Sequence, residues 1–186
     1  LVTVNHQSLI ATKAHRVVQE AKGRPVMEFG ARRAQGYDSA TYGARAAYIG
    51  GVAGTATVSA GEMFDIPVVG TMAHSFVQSF DSEYEAFKAY ALTYPDDCVL
   101  LVDTYDTLKS GVPHAIEIAK EVLEPMGKKL KGIRLDSGDI SYLSKRARAM
   151  LDVAGLTYVS ISASNSLDEY LIRSLLNQGA QLDSFG

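Results

Sequence analysis

The chain has 186 residues, of which 47% are hydrophobic, and its formal net charge is −3. A chain of this size can bury a sizeable core and is typical of one domain, so we expect residues 1–186 to form a single domain. The charge is low and no basic block is present, which argues against nucleic acid or an anionic membrane surface as a partner.

Two further features limit the class of protein. No stretch approaches the roughly 20 apolar residues that a membrane span requires, and the first residues lack the order of a secretory signal. Cys98 is the single cysteine and lies in the apolar run DDCVLLVD. We therefore expect a small buried side chain rather than a disulfide or a metal ligand, and a cytoplasmic setting.

Apolar runs alternate with amphipathic stretches along the chain. In chain order the first half predicts helix 8–21, strand 25–30, helix 39–50, strand 51–55, helix 57–64 and strand 66–72. The second half predicts a helix that begins after Ser82, where Ser82 and Glu85 fit a capping box. It then predicts strand 98–103, helix 107–123, strand 131–136, helix 140–154, strand 157–162, helix 166–177 and strand 180–185.

This alternation predicts an α/β fold with a parallel sheet, because each crossover returns the chain to the same sheet edge. About seven βα steps follow one another without a long central connection, which favours a TIM-like parallel barrel over a doubly wound sheet. The chain begins with Leu1 and ends on a strand-like run with nothing after it to cover the sheet edge. We therefore expect a piece of a longer protein, with the barrel incomplete.

Chemically useful side chains follow most of the predicted strands. In a parallel α/β barrel the active site lies beyond the carboxyl ends of the strands. Arginines there bind phosphate or carboxylate, carboxylates bind ribose hydroxyls or Mg²⁺, and glycines let backbone N–H groups approach phosphate. The pattern suits a sugar phosphate. The residues are Phe29, Gly30, Arg32, Arg33, Gly54, Thr55, Thr71, His74, Ser75, Asp103, Thr104, Asp106, Arg134, Asp136, Ser137, Gly138, Asp139, Ser162, Ser164 and Asn165.

Each of these residues also has an ordinary structural explanation. The aspartates at 103–106 and 136–139 are suited to capping the helices that follow, and His74 alone is typical of a structural histidine. Arg32 and Arg33 are typical of solvated surface, and Phe29 of core. Accidents of this kind would scatter over both ends of the strands, however, so their position on one predicted rim favours a site.

Several common sites are absent from the sequence. No Gly-x-x-x-x-Gly-Lys-Ser/Thr loop and no Gly-x-Ser-x-Gly elbow is present. None of the four histidines pairs at His-x-x-x-His spacing, so a helical zinc site is not indicated. We interpret His6, His15 and His114 as structural or surface residues.

Four stretches together carry a family resemblance: EFGARRAQGYDSATYGARAAYIGGVAGT, IPVVGTMAHSFVQSF, LLVDTYDTLKSG and IRLDSGD. They resemble the nicotinate phosphoribosyltransferases, in order and across nearly the whole chain. RRAQG, GTMAHSF and RLDSGD are specific to that family in combination. The resemblance implies the central part of the barrel, without an amino-terminal domain and a carboxyl-terminal remainder. We expect this piece to be inactive alone, because a partner-subunit aromatic residue and a glycine-rich phosphate loop belong to those parts.

The resemblance implies phosphoribosyl transfer from phosphoribosyl pyrophosphate to nicotinate, giving nicotinate mononucleotide and pyrophosphate in NAD salvage. ATP is hydrolysed alongside through a phosphorylated histidine, which maps onto His74. Mg²⁺ is implied as well, with ligands that the sequence does not identify, and so is a homodimer. The remaining residues implied at the site are Phe29 stacked on the pyridine ring, Arg32 near the ring or the ribose phosphate, Thr71 and Arg134 on nicotinate, and Asp103, Asp136, Ser137 and Gly138 around the ribose and pyrophosphate.

Three alternatives stay open at this point. The relative that uses nicotinamide has an aspartate where this chain has Ala56, directly after Gly54 and Thr55. An aspartate there would repel a carboxylate, so Ala56 favours nicotinate. A barrel aldolase or isomerase would want a strand-end lysine or a pair of acids, and Lys109 and Lys131 only flank the strands. A non-catalytic barrel would have no reason to keep His74, Asp103, Arg134 and Asp136 together.

Overall fold

The computed structural model describes residues 1–186, and its fold is mixed α/β with parallel strands. The helices are α1 (Val2–Glu20), α2 (Tyr37–Ile49), α3 (Val58–Phe64), α4 (His74–Val77), α5 (Glu83–Thr93), α6 (Val112–Ile118), α7 (Ile140–Val153) and α8 (Glu169–Asn177). The strands are β1 (Met27–Glu28), β2 (Gly54–Thr55), β3 (Val99–Leu101), β4 (Gly132–Leu135), β5 (Ser160–Ala163) and β6 (Ser184–Phe185). None of the helices has the length and hydropathy needed to cross a membrane.

The chain divides into two compact units. Unit 1 comprises Leu1–Gly70, Ser166–Ser174 and Ser184–Gly186, and unit 2 comprises Thr71–Asn165 and Leu175–Asp183. In unit 1, β1 and β2 pair in parallel, with isolated bridges from Val26 to Phe185 and from Thr55 to Val68. Helices α1 and α2 approach closely at Gly50, where an added Cβ would lie 2.6 Å from the Ala11 carbonyl oxygen.

Unit 2 contains the longer strands. β3, β4 and β5 lie side by side in parallel, so that Leu100, Ile133 and Ile161 stand in register. All three side chains are fully buried, because helices cover a parallel sheet on its faces. The carboxyl ends of these strands therefore meet at one edge, which places Asp103 close to Asp136.

A continuous helical segment follows β3. It begins with a π-helical turn (Thr107–Gly111), continues as α6 and a second π-helical turn (Ala119–Leu123), and ends in a 3₁₀ turn (Glu124–Met126). The first turn packs against the end of β3, and a Cβ at Gly111 would lie only 1.8 Å from the Val102 carbonyl oxygen. Glycine is required there, because any side chain would push the helical segment away from the strand.

The predicted parallel α/β pattern is confirmed, with shorter strands than the sequence indicates. Residues 66–72, predicted as a strand, contribute only the bridge at Val68. The strands do not form a closed barrel, and the prediction of one domain stays a prediction. Cys98 is buried as predicted, and burial raises the pKa of its thiol to about 12.

Candidate active site

Asp103 lies at the centre of a hydrogen-bonded cluster in unit 2. It follows β3 by two residues, and its side chain is only 1% exposed. One carboxylate oxygen, Oδ1, lies 3.2 Å from Nε2 of His74. The other, Oδ2, accepts hydrogen bonds from the backbone N–H of Asp136 at 2.9 Å and from the Ser137 hydroxyl at 2.5 Å. Asp103 therefore joins the start of α4 to the end of β4.

His74 is placed to be both oriented and accessible. It is the first residue of the short helix α4, and 37% of its side chain is exposed. When Nε2–H donates to the Asp103 carboxylate, the other ring nitrogen, Nδ1, keeps its lone pair. The arrangement therefore presents a nucleophilic nitrogen whose orientation is fixed by a buried carboxylate.

Arg134 forms a second group with Thr71 and Asp136. Its Nη1 donates to the Thr71 hydroxyl, and its Nη2 lies 3.6 Å from Oδ1 of Asp136. Asp136 Oδ1 also accepts from the Ser164 hydroxyl at the end of β5. The Arg134 and Asp136 side chains are only 15% and 17% exposed. The Arg134 guanidinium therefore lies at the strand ends, largely shielded from water. It attracts an anion more strongly there than in bulk water, whose high dielectric constant weakens the attraction.

Two of the predicted aspartates cap helices instead. Asp139 accepts from the backbone N–H of Tyr142 at the start of α7. Asp106 accepts from the backbone N–H groups of Leu108 and Lys109 in the first π-helical turn. The capping explanation therefore accounts for Asp106 and Asp139 but not for Asp103 and Asp136.

Gly138 completes the turn after β4. Its φ is +77°, a conformation that residues with a Cβ rarely adopt. Ser137 and Gly138 are both exposed, whereas the aspartate before them is largely buried. The turn therefore presents backbone and hydroxyl groups beside Asp103, and its role in binding a sugar phosphate stays a prediction.

Phe29 and Arg32 belong to unit 1. Phe29 is half-buried and packs on Gly186, where an added Cβ would lie 2.2 Å from the ring. Arg32 is exposed on a 3₁₀ turn (Ala31–Arg33). Residues on either side of this pair, including Glu28 and Arg33, line a cavity of about 290 Å³.

Sequence reasoning missed Glu28. Its carboxylate accepts from the Thr55 hydroxyl at 2.5 Å and from the Thr57 hydroxyl at 3.3 Å, and so holds the end of β1 to the end of β2. The signal was present, because Glu28 is a charged residue inside a predicted strand. Such a residue needs partners when the strand is buried.

Comparison with known proteins decides the family. The profile described as the nicotinate phosphoribosyltransferase (NAPRTase) family matches residues 25–182. The chain belongs to the nicotinate phosphoribosyltransferase family. Its order of motifs, from the segment around Phe29 to the turn around Gly138, lies inside the matched range.

Individual relatives agree with this assignment. Nicotinate phosphoribosyltransferase of Bacillus subtilis is 54% identical over 183 residues, which are 98% of this chain and 37% of that protein. Nicotinate phosphoribosyltransferase pncB2 of Mycobacterium tuberculosis is 52% identical over 183 residues, which are 98% of this chain and 39% of that protein. The crystal structure of human nicotinic acid phosphoribosyltransferase superposes with a TM-score of 0.83 at 30% identity, covering 97% of this chain and 47% of that one. The chain therefore spans less than half the length of these three proteins.

Proposed function

We propose that the protein transfers the phosphoribosyl group of phosphoribosyl pyrophosphate to the ring nitrogen of nicotinate, in the salvage of NAD. The products are nicotinate mononucleotide and pyrophosphate, and ATP hydrolysis is coupled to the transfer. One observation carries the proposal: in a member of this family, the buried Asp103 carboxylate bonds both His74 and the turn after β4. That contact links a candidate phosphoryl acceptor directly to a candidate sugar-phosphate site.

His74 is the proposed acceptor from ATP. Its Nδ1 lone pair attacks the γ-phosphorus, the bond to the bridging oxygen of ADP breaks, and a phosphohistidine forms. The Asp103 carboxylate stabilises the positive charge that the ring develops, as a carboxylate does for a catalytic histidine. Water later cleaves the P–N bond and releases phosphate. The charge added to His74 would act electrostatically on the turn around Ser137, because the His74 ring and the Ser137 hydroxyl both contact Asp103.

The transfer itself passes through an oxocarbenium-like sugar. The C1–O bond to pyrophosphate breaks while the nicotinate nitrogen forms the new C1–N bond. Arg134 and Thr71 are the proposed ligands of the nicotinate carboxylate, supported by the direct hydrogen bond between them. Phe29 would stack on the pyridine ring and Arg32 would neutralise phosphate charge. Asp136, Ser137 and Gly138 would bind the ribose and the leaving pyrophosphate.

Magnesium enters this scheme as the counterion of the substrate pyrophosphate. No group of three or more His, Cys, Asp or Glu side chains could hold a metal ion by itself. Mg²⁺ fits such a site all the same, because it is commonly held by one or two carboxylates together with substrate phosphates. Asp136 is the carboxylate that would contact it, where it would neutralise charge on the leaving group.

The remaining parts of the proposal concern the whole protein. The parallel strands of the two units would belong to a TIM-like barrel, which is consistent with helix-connected parallel pairing in each unit. We also propose a homodimer that works in the cytoplasm. A barrel is the arrangement that would bring the strand ends named above to a common rim.

The test is a labelling experiment on the full-length protein with γ-labelled ATP. We expect acid-labile, base-stable label that is lost in His74→Ala and kept in His15→Ala, a control at an exposed position of α1. Pyrophosphate release is then measured with nicotinate and with nicotinamide. Faster release with nicotinate supports the proposal. Faster release with nicotinamide would reject the substrate, and label that survives in His74→Ala would reject the phosphoryl acceptor.

A further inference from the structure

Unit 2 contains a second carboxylate–histidine pair outside the candidate active site. Glu83, in the first turn of α5, has a side chain that is only 2% exposed. Its Oε2 accepts from the Ser110 hydroxyl and lies 3.0 Å from Nδ1 of His114. Burying a carboxylate costs free energy unless it is well hydrogen-bonded, so the burial of Glu83 requires a structural or functional explanation.

The two carboxylate–histidine pairs join the same two segments of chain. One segment carries His74 and Glu83, and the other carries Asp103 and His114. His74 meets Asp103 at 3.2 Å, and Glu83 meets His114 at 3.0 Å. Two cross-links between two segments constrain each other, provided that each segment is internally rigid.

The His74 segment is stiffened by aromatic packing. The Phe76 ring lies 5.0 Å from that of Phe80 and 6.0 Å from that of Tyr90, centre to centre. These contacts fasten the single-turn helix α4 onto α5. A helix of one turn has little stability of its own, so α5 determines where His74 stands.

The Asp103 segment is stiffened by the π-helical turn. The Ser110 backbone N–H donates to the Asp106 carbonyl at 2.9 Å, and Asp106 caps the turn through its side chain. Gly111 packs directly on the Val102 carbonyl, next to Asp103. A shift of Ser110 or His114 is therefore transmitted to Asp103 over a short, tightly packed path.

We propose that Glu83 is a positioning residue that keeps His74 and Asp103 within hydrogen-bonding distance. The inference rests on the proposed function, because it assigns Glu83 to the phosphorylation of His74. Glu83 acts through Ser110 and His114 and touches no substrate. Its bonds fix the separation between α5 and the segment after β3, and the His74–Asp103 contact depends on that separation.

The first test compares phosphorylation kinetics of His74 in four variants of the full-length protein: Glu83→Ala, Glu83→Gln, His114→Ala and Arg148→Ala. We expect Glu83→Ala and His114→Ala to lower kcat by on the order of tenfold to a hundredfold with little change in KM for ATP, since a misplacement of about 1 Å costs about that much. Glu83→Gln keeps an acceptor oxygen and should recover most of the loss.

Arg148→Ala is the matched control. Arg148 donates to the carbonyls of Leu156 and Val159, so its loss also removes part-buried hydrogen bonds from unit 2. It should lower the thermal midpoint without changing kcat at a temperature where every variant is folded. Equal kcat losses in Arg148→Ala and Glu83→Ala would overturn the proposal, because they would show a general effect of destabilisation.

A double-mutant cycle tests whether Glu83 acts through Asp103. If it does, Glu83→Ala should cost little further activity in an Asp103→Ala background, since the contact that it positions is already lost. Fully additive effects would overturn the proposal. The cycle also separates the positioning role of Glu83 from any independent contribution that Glu83 makes to folding.

One readout needs no activity. The Asp136 backbone N–H donates to Asp103, so hydrogen exchange of the peptide that contains it reports where Asp103 stands. Exchange should become faster in Glu83→Ala and not in Arg148→Ala. If the wild-type protein shows no phosphohistidine but this difference appears, the proposed function fails while the positioning role stands. Unchanged exchange would overturn the positioning role.

Discussion

At the scale of single residues, two loops use the same spacing of aspartates for two purposes. Each loop has the pattern Asp-x-x-Asp, once in Asp103 to Asp106 and once in Asp136 to Asp139. The first aspartate continues the line of its strand and bonds groups at the neighbouring strand ends. The fourth residue has reached the N-terminus of the helical segment, where its carboxylate accepts free backbone N–H groups. Position after the strand, rather than residue type, separates the two roles.

Gly138 provides a prediction at this scale. Gly138→Ala should lower the free energy of unfolding by about 1–3 kcal/mol, because an alanine at positive φ is strained. Gly155→Ala is the matched control, since Gly155 has a φ of +81° and no atom near its added Cβ. Urea denaturation should show a loss for both variants, somewhat larger for Gly138→Ala because its added Cβ would lie 2.9 Å from Cδ1 of Leu143. Only Gly138→Ala should also raise KM for phosphoribosyl pyrophosphate, and an equal rise in both would contradict a substrate role for the turn.

At the scale of elements, the N-terminus of α7 offers a second prediction. Asp139→Ala should lower the free energy of unfolding by about 1 kcal/mol, because it removes the acceptor of the Tyr142 N–H. Asp139→Asn, which keeps a good capping group, should lose much less. The measurement is the urea concentration at the midpoint of unfolding, and the m-value should stay unchanged. Since the side chain of Asp139 caps α7, kcat should stay within about twofold in both variants, and a larger loss would assign Asp139 to the chemistry.

How well the sequence predicts an element depends on its length. The helices over 39–50 and 140–154 are predicted to within two residues, because several turns of periodic burial identify them. Helix α4, with four residues, has no period to detect and was missed. The strand at 66–72 has the right composition, but only Val68 finds a partner. The two π-helical turns were not predicted either, because their apolar residues continue the pattern of α6.

The candidate site was predictable to the extent that it follows strand ends. Asp103 and Ser137 were found in this way, and the structure joins them directly. The Glu83 cluster was not found, because its partners Ser110 and His114 lie 27 and 31 residues away in sequence. A buried polar cluster of this kind is defined by tertiary contacts, and no local pattern indicates it.

At the scale of the whole molecule, Cys98 reports on the opening of unit 2. It lies directly before β3 and is fully buried. Burial raises the pKa of its thiol from the ordinary value of 9.0 to about 12. The folded state therefore favours the protonated form. Its contribution to stability is complete below about pH 9 and is lost as the pH rises towards 12.

The prediction is that iodoacetamide at pH 8 labels Cys98 only when unit 2 unfolds. The thiolate is the nucleophile, and in the folded state the thiol is both inaccessible and protonated. Labelling should be slow in buffer and should accelerate across the urea transition seen by circular dichroism. Fast labelling in buffer would contradict the burial of β3. A Cys98→Ser variant gives the background rate.

The close packing of Gly111 limits which mutations the protein can tolerate at that position. Every missense change at its codon adds at least one carbon at a position 1.8 Å from the Val102 carbonyl oxygen. A backbone atom cannot move aside as a flexible side chain can, so no replacement is mild there. At Gly70, by contrast, an added Cβ meets no atom within 4 Å. In a population of random variants selected for the proposed transferase activity, position 111 should therefore remain glycine.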